Sequence, residues 1–259
     1  MTDPYIGTVV ISLATVLLLE SVFPLHQATV PLRRWVHNFG LSVLALGTTL
    51  LTPLLFWVVV RVTGIPSAGG LLAHGNVPLW GQWLITFLAM DGMRYGLHRL
   101  AHRLPWLWRL HAVHHSDIEL DATTTHRHHP LENLVLSLAT LPVLVALSPP
   151  PTAVLAYAVL STAIDTLSHA NLRLPTLLDQ GLRRLLVTPA YHRVHHSALR
   201  SQTDSNYAGL FPMFDHLFRS HSVVPDDGGR ALTIGLESGR DAASQSLAAL
   251  LLAPFWNPR

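Results

Sequence analysis

The chain has no cysteine in its 259 residues. Disulfides and thiolate ligands are thereby excluded, and thiolate-haem oxygen chemistry with them. Charge is also scarce. Asp, Glu, Lys and Arg make up 12% of the residues, about half the share of an ordinary soluble domain. There is no lysine, so all 17 basic residues are arginine; no function follows from that. A formal charge of +2 is too small to argue for a nucleic-acid partner. With hydrophobic residues at 49%, this balance reads as a membrane protein. What the sequence has in excess is histidine, 17 residues, most of them neutral and free to bind metal at neutral pH.

Apolar runs set the organisation. Ile6 to Phe23 reads as a retained first span, because it lacks a basic leader and a small-x-small cleavage site. Leu41 to Val60 carries no charge and is long enough to cross roughly 30 Å of hydrocarbon. Thr63 to Asn76, with Gly64, Pro66, Gly69, Gly70 and Gly75, predicts a loop. Val77 to Met90 continues into Asp91 and Arg94, which are spaced to pair on one helix face. Leu131 to Leu147 and Thr152 to Ser168, split by Pro149-Pro150-Pro151, predict a helical hairpin whose ends return to one side. Ala242 to Leu252 predicts a peripheral amphipathic helix with Leu247, Leu250 and Leu251 on one side. With the N-terminus outside, seven arginines of the short loops (33, 34, 94, 99, 103, 109, 127) fall inside and one (61) outside. The expectation is an all-α integral membrane protein. It is one domain over 1–259, with about four to five membrane helices and a cytoplasmic histidine-rich helical cap.

The histidines are not scattered. His98 and His102 are four apart; His111, His114 and His115 repeat the spacing of His192, His195 and His196. Residues at i, i+3 and i+4 share a helix face, so each box is expected to present its imidazoles to one point. His26, His37, His74, His216 and His221 read as ordinary hydrogen-bonded residues. Eight clustered imidazoles need partners if buried, and metal supplies one to each ring. Four to six nitrogens per ion imply two ions, from among iron, copper, zinc and nickel. The Glu and Glu-x-x-His pattern of soluble di-iron bundles is absent. Two divalent ions on neutral ligands keep about four positive charges, which nearby carboxylates should offset while orienting the rings. Asp91, Asp117, Glu132, Asp165, Asp204 and Asp215 are candidates, with helix capping and surface pairing as the competing roles.

Taken together, the boxes resemble those of the fatty acid hydroxylase and sterol desaturase superfamily of membrane histidine-box di-iron oxidases. The resemblance is strongest over residues 77–218. It includes Ala122 to Glu132, which maps Arg127, His129, Pro130 and Glu132; Ser168 to Pro175, which maps His169 and Asn171; and Asn206 to Phe218. It implies two iron ions held by His98, His102, His111, His114, His115, His129, His169, His192, His195 and His196. O2 would be co-substrate, and the reaction would hydroxylate or desaturate an unactivated C–H bond of a lipid. Two departures stand out: Asp165 occupies a position where many relatives carry histidine, and Asn-Tyr-Ala-Gly replaces Asn-Tyr-Gly. No cytochrome-like segment accompanies the boxes, so a separate electron donor such as a ferredoxin or cytochrome is expected. The expected setting is a bacterial inner (plasma) membrane, multi-pass, with the site on the cytoplasmic side. Substrate entry is expected past Trp106, Trp108, Phe211, Phe214 and Phe218, positions that also suit core packing or an interfacial belt. Two other readings remain: a non-redox zinc-binding membrane protein or carrier, and a bis-histidine haem cytochrome. No Ser/His/Asp triad or catalytic acid pair is needed, and no catalytic residue is assigned beyond the ligands.

Overall fold

A computed structural model of the chain describes residues 4–27, 32–63 and 69–256. Among these the regular elements are all helices, with two isolated bridges, Pro24 with Leu172 and Ser197 with Ile234, and residues 218–246 are irregular. The long elements are α1 (Pro4–Val22), α2 (Leu32–Thr49), α3 (Thr52–Thr63), α5 (Leu79–Arg103), α7 (Pro130–Leu147) and α8 (Pro151–Ser168). Shorter ones are α4 (Leu71–His74), α6 (Pro105–His115), a 3-10 turn (Ala122–His126), α9 (Thr176–Leu182), α10 (Pro189–His195), α11 (Arg200–Thr203), α12 (Met213–Leu217) and α13 (Leu247–Trp256). Proline opens α6, α7, α8 and α10. There its fixed φ suits the first turn, and its missing N–H would have been unpaired anyway.

The chain reverses where expected, α7 and α8 being joined across Ser148 to Pro150 with Ser148 in the left-handed conformation at φ 46°, but the two helices pack on other partners, α7 on α2 and α5 and α8 on α1 and α5, rather than tightly on each other. The apolar run Leu41 to Val60 is not one span. It is divided between α2 and α3, because Pro53 has no N–H to donate in the α-helical ladder. The Arg33-Arg34 stretch, expected in a loop, belongs to the first turn of α2. Gly64 and Pro66 of the predicted loop lie outside the described residues, and Leu71–His74 within that stretch forms a helical turn. Among the described residues, two helices are long and apolar enough to cross a membrane by length and composition, residues 5–22 of α1 and all of α7. The 25-residue α5 is long enough, but its second half carries Asp91, Arg94, His98, Arg99, His102 and Arg103.

Packing gathers the polar ends of these helices. Arg34, from α2, reaches across to Asp117 (2.6 and 2.7 Å) and Asp121 (2.5 Å) and also binds Thr124. Arg127 is 1% exposed. It donates to Val113 O, Asn38 Oδ1, Ser116 Oγ and Gln245 Oε1, so it ties the end of α6 to α2 and to the segment before α13. The expected pair Asp91–Arg94 does not form. Arg94 donates to Asp165 at 2.6 Å, while Asp91 accepts from Tyr157 Oη and Phe211 N. Asp165 therefore serves as the counter-charge of a guanidinium. Helix α13 starts later than expected, but it buries the expected side: Leu250 packs with Leu41 and Val113, and Leu247 and Leu251 border them.

Candidate metal centre

Nine histidines converge in two adjoining groups. His98, His102, His111, His115 and His195 form the first; His114, His169, His192 and His196 form the second. Helical geometry decides the division. Neighbouring residues on a helix point about 100° apart, whereas i and i+4 nearly align. On α6, His111 and His115 enter the first group and His114 the second. On α10 and its cap the assignment reverses: His192 and His196 enter the second group and His195 the first. The expectation that each box serves one point is thus corrected; both triplets straddle two. The groups share a wall, with His115 and His196 stacked at 4.5 Å between ring centroids and His192 and His195 at 5.2 Å.

The second nitrogens explain the orientation of the rings. Nδ1 of His98, His195 and His169 lies 2.7, 2.7 and 2.8 Å from the carbonyl oxygens of Tyr207, Ser205 and Asp165. A carbonyl only accepts, so each Nδ1 carries the proton and each Nε2 is a bare lone pair. Glu132 Oε1 does the same for His111 at 2.6 Å, and Asp204 Oδ1 stands 3.2 Å from Nδ1 of His102. Yet Nε2 of His98 lies 3.0 Å from that of His111 and 2.9 Å from that of His195. Neutral rings anchored this way cannot hydrogen-bond to each other through Nε2. Their lone pairs repel unless a cation lies between them.

The second group repeats the spacing at 3.1 Å, His114 to His169 to His192 to His196, but there only His169 is anchored through Nδ1; Nδ1 of His114, His192 and His196 is buried with no hydrogen-bond partner among the described residues. Two nitrogens at right angles on one metal, each bonded at about 2.0–2.1 Å, stand about 2.8–3.0 Å apart, so the rings fit a metal ion. Burial is the main cause that keeps them neutral. It holds His114, His115, His192 and His196 well below the ordinary histidine value, assisted by neighbouring imidazoles, and takes His169 and His195 down to about 3.

Nine of the ten sequence-predicted ligands thus come together, and His129 does not. Its Nδ1 accepts from Leu131 N as the N-cap of α7, and its Nε2 faces Leu251 O at 3.2 Å. Its neighbour His128, missed in the sequence, turns inward instead. It stacks on His114 at 4.3 Å and lies 3.2 Å from Glu132 Oε2, forming a third small group with His111 and Glu132. The i, i+4 spacing of His128 and Glu132 was the available signal. Of the proposed carboxylates, only Glu132 and Asp204 touch the rings. Asp117 is taken by Arg34; burial alone would raise its pKa, but Arg34 and Arg127 lower it. Asp215 accepts from Tyr207 N, Ala208 N, Tyr191 Oη and Ser220 Oγ. Of the aromatics, Trp108 packs against His102 at 4.9 Å and His115 at 5.5 Å, whereas Phe214 and Phe218 stack on Tyr95. Phe211 borders a core cluster, and Trp106 is 56% exposed.

The family model described as fatty acid hydroxylase matches residues 83–220, just over half of the chain. Alkylglycerol monooxygenase of Danio rerio is 32% identical over 148 residues, 57% of this chain and 32% of the relative. Ornithine lipid hydroxylase OlsE of Rhizobium tropici is 32% identical over 151 residues, 56% of this chain and 44% of the relative. Very-long-chain aldehyde decarbonylase GL1-9 of rice is 34% identical over 146 residues, 54% of each. The chain therefore spans between about a third and about half the length of these curated relatives. No solved structure matches it. Both histidine groups fall within the matched region, and the chain belongs to the fatty acid hydroxylase family.

Proposed function

We propose that this protein is a membrane-bound di-iron oxygenase. In this reading it hydroxylates or desaturates an unactivated C–H bond of a lipid, with O2 as co-substrate and electrons from a separate donor such as a ferredoxin or cytochrome. One observation carries the reading: Nε2 atoms face one another at 2.9–3.1 Å in two adjoining groups, and those of His98, His111, His195 and His169 are bare because Nδ1 hydrogen bonds fix their rings. His98, His102, His111, His115 and His195 would hold one ion and His114, His169, His192 and His196 the other. Bound iron supplies the one-electron chemistry that activates dioxygen.

The chain's own residues do the rest. The carbonyls of Tyr207, Ser205 and Asp165 fix ring tautomer and direction. The Glu132 carboxylate, 2% exposed, places a negative charge beside His111 and offsets part of the metal charge. Trp108 walls one side of the first group, and burial of the rings keeps bulk water from the reacting atoms. The five-nitrogen first group exceeds the four ligands of a structural zinc site. Nine converging imidazoles likewise exceed the two axial ligands of a bis-histidine haem. The ends of α5, α7 and α8 meet at this centre, which supports a site at a membrane boundary, and the arginine distribution supports its cytoplasmic side.

The test pairs metal analysis with lipid profiling. Wild type is expected to purify with about two irons per chain, without a haem Soret band, and to yield an oxygen-dependent lipid product absent from His114→Ala. Stoichiometric zinc without iron, with no product, would overturn the reading.

A further inference from the structure

A cavity of about 480 Å³ opens between α6, α11, α13 and residues 235–244. Its inner wall meets the first histidine group at two points. Trp108 lines the cavity, is half-buried, and packs on His102 and His115 with 4.9 and 5.5 Å between ring centroids. Asp204 also lines it, with Oδ1 3.2 Å from Nδ1 of His102 and Oδ2 3.2 Å from Nε of Arg200. One indole thus touches the cavity on one side and two of the clustered imidazoles on the other.

The rim of this cavity is basic. Arg109 and Arg200 line it, and both are exposed. Arg99 and the exposed Arg103 lie close enough to Tyr207 to bear on its phenol, as does Asp204. Tyr207 in turn packs on His98 and His102 at 5.8 and 5.1 Å. The arginines therefore follow the outer side of the first histidine group, past Tyr207 and Asp204 to the cavity. Two carboxylates, Asp204 and Glu237, share this face with the four guanidiniums, and Asp204 is already divided between His102 and Arg200. Exposed charge of one sign attracts a partner of the other and speeds its arrival. It also holds that partner weakly, which suits a carrier that must leave after each delivery.

We propose that this face docks an acidic electron-carrier protein, with Trp108 as the point where its electrons enter. The proposal rests on the oxygenase reading and deepens it. Hydroxylation and desaturation each draw two electrons and two protons per O2 from outside the lipid. Each encounter moves one electron: the carrier's reduced iron is oxidised, and one ferric ion of the centre becomes ferrous, with no bond made or broken. Two encounters supply the pair, and water supplies the protons. Electrons cross packed atoms more readily than an open gap, and the indole fills the space between the surface and the rings.

The test uses the full-length protein in nanodiscs, with plant-type ferredoxin as the acidic probe and mitochondrial cytochrome c as the basic one. Ferredoxin is expected to bind the metal-free protein about ten-fold more weakly at about 200 mM salt than at about 20 mM, and cytochrome c not measurably. Arg103→Glu with Arg109→Glu should weaken ferredoxin binding about ten-fold or more. Arg173→Glu with Arg184→Glu, at exposed positions flanking α9, should leave it unchanged. In the iron-loaded protein without oxygen, the rate of iron reduction is compared for saturating reduced ferredoxin and for dithionite. Trp108→Leu should lower the ratio of the two rates several-fold; should that variant lose iron, Trp108→Phe carries the same comparison. Equal binding of the two probes, indifference to salt or to the Arg103 and Arg109 reversals, equal weakening by the Arg173 and Arg184 pair, or an unmoved ratio would overturn the proposal. The oxygenase reading fails separately, through absent iron or absent oxygen-dependent product in a wild type that still binds ferredoxin through these arginines.

Discussion

Glu132→Gln isolates the contribution of the ring anchors. The carboxylate is 2% exposed and lies 2.6 Å from Nδ1 of His111 and 3.2 Å from Nδ1 of His128. Glutamine keeps the volume but has one accepting head atom instead of two, and it removes the charge. A hydrogen bond to a charged acceptor contributes about 1.5–3 kcal/mol. Loss of an outer-shell partner of a metal-binding histidine costs about 10–100-fold in affinity, or roughly 1.4–2.7 kcal/mol. The two figures agree. His111 belongs to the first group, while the second group makes no hydrogen bond to Glu132. Titration of the metal-free variant with ferrous iron against a chromophoric chelator is therefore expected to give one site near wild-type affinity and one weakened about 10–100-fold. A thermal melt of the metal-free protein controls for folding. Equal weakening of both sites, or two unchanged sites, would refute the reasoning.

Three further outcomes are expected. Arg34→Met strands Asp117 and Asp121 in the interior, and breaking a buried pair of this kind costs about 3–5 kcal/mol; denaturant unfolding in detergent measures it. Gly209→Ala would place its Cβ 2.6 Å from Cζ of Arg94, which is held by Asp165. A loss of about 1–3 kcal/mol is expected from this overpacking, and a melt unchanged within error would show that Arg94 yields freely. The third concerns acid. The folded-state pKa values of His169 and His195 lie near 3, below the ordinary value of about 6.5, so the unfolded chain binds more protons between these limits. The metal-free protein should keep this stability above about pH 6.5 and lose it as pH falls toward 3; a melting temperature constant from pH 7 to 5 would contradict it.

The centre was legible because its signal is local. Spacings of three and four on helices name His98, His102 and both triplets before any tertiary contact is known. The hairpin was legible for the same reason, since three prolines separate two apolar runs. What escaped the sequence depends on distance along the chain or on one backbone torsion. Nothing in the string says that Arg34 will meet Asp117, 83 residues away, or that Arg94 will choose Asp165 over Asp91 one turn from it. His128 and His129 are adjacent and chemically identical. Only the N-cap geometry of α7 decides which faces the other histidines and which accepts from Leu131. The division of Leu41 to Val60 was readable from Pro53, but run length outweighed it.

Helix α6 has a length that cannot drift. Pro105 sets its first turn, and Arg127 grips the Val113 carbonyl at its last. Between these pins, one added or deleted residue would turn every side chain beyond it by about 100°. His114 would then swing toward the group that His111 and His115 form, and the ledger of nitrogens in both groups would be wrong at once. A point substitution deletes a single nitrogen, whereas a one-residue indel misdelivers several. Natural variation in this helix should accordingly change its outward letters freely and its count never.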